Sequence, residues 1–96
     1  MNIVVVGRAQ SKPGMTGIVR EELSKLASLS RSEDGCINYD VHQSLDDEHL
    51  FLTHETWKDQ SSVDLHMKQA YVANLMARAD ELFAGPVEIR LWKKIQ

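Results

Sequence analysis

The chain has a single cysteine, Cys36. No intrachain disulfide can form, and no cysteine-based metal knuckle is available. Basic residues are also short: Lys and Arg number 11 against 14 Asp and Glu, and the formal net charge is −3. The absence of a basic stripe along the chain predicts no nucleic-acid partner. Long apolar runs are missing. Ile3 to Val6 is typical of those present and is far too short to cross a bilayer. Met1-Asn2 leads into that run with no basic stretch before it, which predicts no signal peptide, no membrane association and a cytoplasmic location. P-loop, Gly-x-Gly-x-x-Gly and Cys-x-x-Cys motifs are absent, so nothing is built to cradle a phosphate or run dithiol chemistry. The expectation is a protein with no cofactor. The 96 residues hold no repeat, linker or low-complexity segment, and they suit a single domain spanning 1–96.

What is present is a clear succession of periodicities. Ile3-Val4-Val5-Val6 is β-branched and reads as a buried strand running to about Gln10. Ser11-Lys12-Pro13-Gly14 is turn chemistry, with Pro presetting φ and Gly accepting positive φ. From Met15 the period changes. Met15, Ile18, Val19, Leu23, Leu26 and Ala27 share one stripe of an amphipathic helix that Glu33-Asp34-Gly35 stops. Ile37, Tyr39 and Val41 alternate with Asn38, Asp40 and His42, the pattern of a strand with one apolar face. Leu50 to Trp57 reads as its hairpin partner. Ser61 or Ser62 is placed to cap a further helix, with Asp64 in its first turn. The apolar positions of that helix are Val63, His66, Met67, Ala70, Ala73, Leu75, Met76, Ala79, Leu82 and Phe83, with a break point near Gln69. Gly85-Pro86 ends it, and Val87, Ile89, Leu91 and Ile95 form a last strand. The order β-α-β-β-α-β predicts an α+β, ferredoxin-like fold: a four-stranded antiparallel sheet with its helices on one face.

Such a sheet leaves its other face bare, yet the strands are apolar on both parities. Val4 and Val6 alternate with Ile3 and Val5, Leu50 and Leu52 with Phe51, and Trp92 with Leu91. Each large side chain contributes about 1.5–3 kcal/mol when buried. The simplest cover is a second copy, which predicts a homodimer through the open face.

Two residues stand out for chemistry. Trp57 ends the third strand, and His66 lies on the apolar stripe of the helix that follows. Glu55 shares strand parity with Trp57. If the hairpin pairs like parity with like, Tyr39 lies near Trp57 on a face that also carries Ile37, Val41 and Phe51. The expected site is an apolar chamber with an imidazole suited to proton transfer near neutrality. An indole N–H and a phenol stand beside it as donors to a developing oxyanion. Tyr71 can close the chamber or face solvent. His42 and His54 lie on facing strands at the opposite parity, and with no third ligand in view the expectation is no metal. Packing alone accounts for the same residues if His66 is a satisfied core histidine and Trp57 a core indole.

Taken in order, these residues resemble the antibiotic-biosynthesis-monooxygenase family, and within it the small quinol-monooxygenase-like members. The resemblance covers nearly the whole chain. It rests on Lys12-Pro13-Gly14 after the first strand, Gly35-Cys36 with Tyr39 opening the second, Glu55-x-Trp57 followed by His66, and Gly85-Pro86 before the last strand. It implies a dimeric α+β barrel with a pocket between sheet and helices. It also implies cofactor-independent oxygenation of an electron-rich aromatic substrate by dioxygen. His66 and Trp57 would then be catalytic, with Tyr39, Glu55, Phe51 and Tyr71 around the substrate. The same fold group includes isomerases of a phosphorylated autoinducer sugar and haem-degrading enzymes. The haem degraders use an Asn, Trp and His set, and Gly7 stands where that Asn would be. Many relatives carry a second histidine at the position of Tyr71. The alternatives to oxygenation are an isomerase in which His66 and Glu55 shuttle protons, and a binding module for a hydrophobic metabolite.

Overall fold

A computed structural model describes all residues, 1–96. The strands are β1 (Ile3–Gln10), β2 (Cys36–Gln43), β3 (Leu50–Trp57) and β4 (Glu88–Trp92). They form one sheet in the order β2-β3-β1-β4, with every neighbouring pair antiparallel. Helix α1 (Thr16–Ser30) links β1 to β2. Three shorter helices, α2 (Gln60–Met67), α3 (Ala70–Ala77) and α4 (Ala79–Leu82), link β3 to β4. This is the ferredoxin-like arrangement that the periodicities predict. No helix in the structure is long and apolar enough to cross a membrane.

The pleat divides the strands. Val5 and Ala9 of β1, Tyr39 of β2, and Phe51 and Trp57 of β3 are buried, and they pack in one core with Val19, Leu23 and Leu26 of α1. Thr53 and Glu55 are polar but share the inward parity and are buried with them. On the other parity the sheet carries no helix. There Val4 pairs with Trp92 and Arg8 with Leu52, leaving Trp92 54% and Leu52 37% exposed.

Four local expectations give way. Ile37 is 57% exposed and does not join Tyr39 on the inner face. Cys36 pairs with Trp57 and Asn38 with Thr56, so Ile37 is the extra residue of a β-bulge and leaves the alternation. The cap of α2 is Asp59, ahead of both serines. Its Oδ1 accepts the Ser62 backbone N–H at 2.9 Å and the Ser62 hydroxyl at 2.7 Å. These bonds hold the Asp59 carboxyl below its usual range.

The long helical pattern breaks twice. Gln69 is extended (φ −64°, ψ 139°), as its position as a break point anticipates, and Arg78 makes a second interruption. An extended residue resets the helical phase. Val72 and Leu75 are therefore the buried positions of α3, while Ala70 and Ala73 face outward. Finally, β4 stops at Trp92, and Ile95 is exposed beyond it.

Candidate functional site

A cavity of about 300 Å³ lies between the inner face of the sheet and the helices. Its wall is mostly apolar, including Leu23, Phe51, Val63 and Leu75. The cavity reaches the β4 edge, where Ile89 and Leu91 line it and remain partly exposed. Met67 and Met76, exposed helix residues, also reach its wall. The buried polar groups on the wall are Tyr39, Thr53, Glu55 and His66. A few placed polar groups in an apolar concavity are what a small-molecule site requires.

The first polar cluster is built on β3. Glu55 Oε1 accepts the Trp57 indole N–H at 2.9 Å, and Oε2 accepts the Thr53 hydroxyl at 3.0 Å. Thr53 Oγ1 in turn accepts the backbone N–H of Gly7 at 3.2 Å. Residues 53, 55 and 57 can join in this way because alternate residues of a strand share a face. Gly7 lets the strands close over the cluster, since a Cβ there would lie 2.6 Å from Thr53 Oγ1. Burial pushes the Glu55 carboxyl above its usual range; the bonds from Trp57 and Thr53 and the nearby His66 oppose that rise. Tyr39 faces Glu55 across the β2–β3 ladder. Burial and the Glu55 charge keep its phenol neutral far above the usual tyrosine range.

The second cluster assembles around α2. His66 Nδ1 lies 2.8 Å from Glu33 Oε2, and the Tyr71 hydroxyl donates to the same oxygen. The rings of Trp57 and His66 are in contact, tilted by 36°, with centroids 4.5 Å apart. Tyr39 is edge-on to Trp57 at 6.5 Å and lies 5.8 Å from His66. Glu33 is brought here by a close approach of the loop after α1 to the first turn of α2. A Cβ on Gly35 would lie 2.0 Å from Ser62 Oγ and 2.3 Å from Ser62 Cβ.

The structure sorts the candidate residues. His66, Tyr39, Glu55 and Phe51 line one cavity. Trp57 touches His66 but is fully buried behind the wall, and its N–H is committed to Glu55. The donor expected to face the substrate therefore faces a carboxylate. Tyr71 is not on the cavity wall either; it borders a separate groove between α1 and α3. The reset of helical phase at Gln69 carries it there. His42 and His54 lie on the helix-free face, where His54 Nδ1 meets the Asn38 amide at 3.3 Å. No three metal-binding side chains converge anywhere in the structure.

Two participants escaped the sequence reading. Thr53 could have been found, because a polar residue at the inward parity between Phe51 and Glu55 needs a partner. Glu33 gave no signal beyond ending a helix, since its partner lies 33 residues away.

Residues 2–78 match the model of a family described as antibiotic biosynthesis monooxygenase. YcnE of Bacillus subtilis, named as a proposed monooxygenase, is 28% identical over 87 residues, covering 91% of this chain and 92% of that protein. An uncharacterized protein of Synechocystis is 32% identical over 95 residues, which is 95% of this chain but 62% of that one. The chain thus spans less than two thirds of this relative. Among solved structures, PA3566 from Pseudomonas aeruginosa superposes with a TM-score of 0.92 at 26% identity, covering 99% of this chain and 95% of that one.

Proposed function

This chain belongs to the antibiotic biosynthesis monooxygenase family, and we propose that it oxidises a quinol or a related phenolic compound with dioxygen, without a cofactor. The observation that carries this reading is one imidazole, His66, on the wall of an apolar cavity beside the neutral phenol of Tyr39. His66 takes a phenolic proton. The electron-rich anion then bonds to dioxygen through a ring carbon. Loss of that carbon's proton and cleavage of the O–O bond leave a carbonyl and release water. One oxygen atom enters the product and the other leaves as water, and the quinol supplies all four electrons. Tyr39 donates a hydrogen bond to the substrate oxygen, and the apolar wall strengthens that contact by excluding water.

The wall also bears on substrate charge. Its charged residues are Arg8, Glu55 and Asp64, and Arg8 is exposed. A phosphorylated sugar would meet a buried carboxyl with no buried cation to match it. That weighs against the isomerase reading and favours an uncharged phenol. In this proposal Trp57 holds Glu55 and packs on His66, and Phe51 shapes the floor of the cavity. We further propose a cytoplasmic homodimer whose two sheets cover each other's helix-free faces.

Oxygen uptake with a panel of hydroquinones and naphthols tests the reading. The expected result is stoichiometric uptake, with a hydroxylated quinone formed from a hydroquinone and a naphthoquinone from a naphthol. Failure of every phenol would remove it, and proton exchange into a ketone without uptake would install the isomerase in its place.

A further inference from the structure

We propose that Glu33 is a positioning residue that fixes the tautomer of His66, keeping the proton on Nδ1 and leaving Nε2 as the base. The inference rests on the reading above that His66 accepts the substrate's proton. Glu33 is absent from the cavity wall, so it acts only through the imidazole.

A carboxylate accepts hydrogen bonds and donates none. With Glu33 Oε2 2.8 Å from His66 Nδ1, the stable neutral imidazole is the one that carries its proton there. The Tyr71 hydroxyl donates to the same oxygen. Burial and the Glu33 carboxylate raise the Tyr71 phenol above its usual range, so it stays a donor. Nε2 has no hydrogen-bond partner in the protein, and His66 is on the cavity wall. The side chains involved are largely withdrawn from solvent, His66 5% exposed and Glu33 12%. A misplaced proton here is therefore not readily corrected by water. The groups facing His66 are Glu33 from the loop, Tyr71 from α3, Tyr39 from β2, and Trp57 and Glu55 from β3.

The loop is built to hold Glu33 still. Its backbone N–H donates to Ser30 O at 3.1 Å, and its carbonyl accepts the Cys36 N–H at 3.0 Å. Two residues on, the Gly35 carbonyl accepts the Lys58 N–H at 2.9 Å. Gly35 lies so close to Ser62 that no side chain fits between them. The loop is thus tied both to the end of β3 and to the first turn of α2, the helix that carries His66.

Ring-nitrogen NMR of histidine-labelled protein reads the tautomer directly, with His66 assigned by its loss in His66→Ala. The parent should show neutral His66 protonated at Nδ1. Glu33→Gln can donate as well as accept, so the two tautomers should mix. Turnover in that variant should fall about 10-fold or more, with KM held within about twofold. Tyr71→Phe keeps the Glu33 bond and should keep the tautomer. A parent protonated at Nε2 overturns the proposal without any variant, as does a Glu33→Gln protein that retains both tautomer and turnover. If the parent consumes no oxygen with any phenol, the oxygenation reading falls alone, because the tautomer measurement still decides the role of Glu33.

Discussion

The imidazole of His66 packs at a tilt against the indole of Trp57, with centroids 4.5 Å apart and 36° between the planes. This contact joins two carboxylate clusters, since the indole N–H reaches Glu55 and His66 Nδ1 reaches Glu33. One buried polar network thus runs from Gly7 through Thr53, Glu55 and the two rings to Glu33 and Tyr71. Members of such a network do not contribute independently. Substitutions along it should separate into those that remove the base and those that tilt or recharge its surroundings.

Removing the base should cost most. His66→Ala is expected to lower turnover on a phenolic substrate by about 10²-fold or more, the usual contribution of a positioned acid–base group. Trp57→Phe removes the N–H to Glu55 but keeps most of the ring that packs on His66. Its loss should be smaller. Steady-state oxygen uptake beside thermal melts checks both, and a folded His66→Ala protein with full turnover would take His66 out of the mechanism.

The Glu55 carboxyl offers a test through stability alone. Its pKa in the folded protein is raised above the ordinary value of 4.5, chiefly by burial. The folded state therefore binds the proton more tightly than the unfolded chain does. The stability from this group is fully present below the unfolded pKa and is lost as pH rises through the folded one. Glu55→Gln carries no charge at any pH and still accepts the Trp57 N–H. Melting temperatures compared over roughly pH 4 to 8 should show the variant gaining on the parent as pH rises. A gap that stays flat across that window would mean the carboxyl is not perturbed in the folded state.

Gly35 should tolerate no side chain. Gly35→Ala places a Cβ 2.3 Å from Ser62 Cβ, so either the loop or α2 must move. Overpacking of this kind costs about 1–3 kcal/mol. Combining it with Ser62→Gly removes the obstructing atoms and should restore part of the loss, less the cost of glycine in a helix, about 1 kcal/mol. Chemical denaturation of the single and double variants measures the coupling. Simple additivity would show that the two residues do not collide.

The helix-free face predicts an assembly. Val6 lies on that face opposite His54 of β3 and Arg90 of β4, and Leu52 opposite Arg8 of β1. Light scattering should return twice the chain's mass for the parent, and a smaller mass for Val6→Arg or Leu52→Arg, because each sets a like charge beside Arg90 or Arg8 on the face to be covered. A parent that runs as a monomer at micromolar concentration would sink the dimer.

The sequence by itself determined the elements and the class of fold. Period-two alternation through Tyr39 and Val41, the helical stripe through Val19, Leu23 and Leu26, and the order of the elements are local patterns, and local patterns survive without tertiary knowledge. It also marked His66, Tyr39, Glu55 and Phe51, because inward parity and helical spacing put them on buried faces. Only the tertiary structure decided what those faces meet. The bulge at Ile37 and the second reset at Arg78 are single-residue events that change phase, and no periodicity announces them. The reset at Gln69 turns Tyr71 away from the cavity. The pairing of His66 with Glu33 joins residues 33 apart through a contact that only Gly35 permits. A hydrogen bond depends on ångström-scale placement, and the sequence records which groups are available but not where the packed chain brings them.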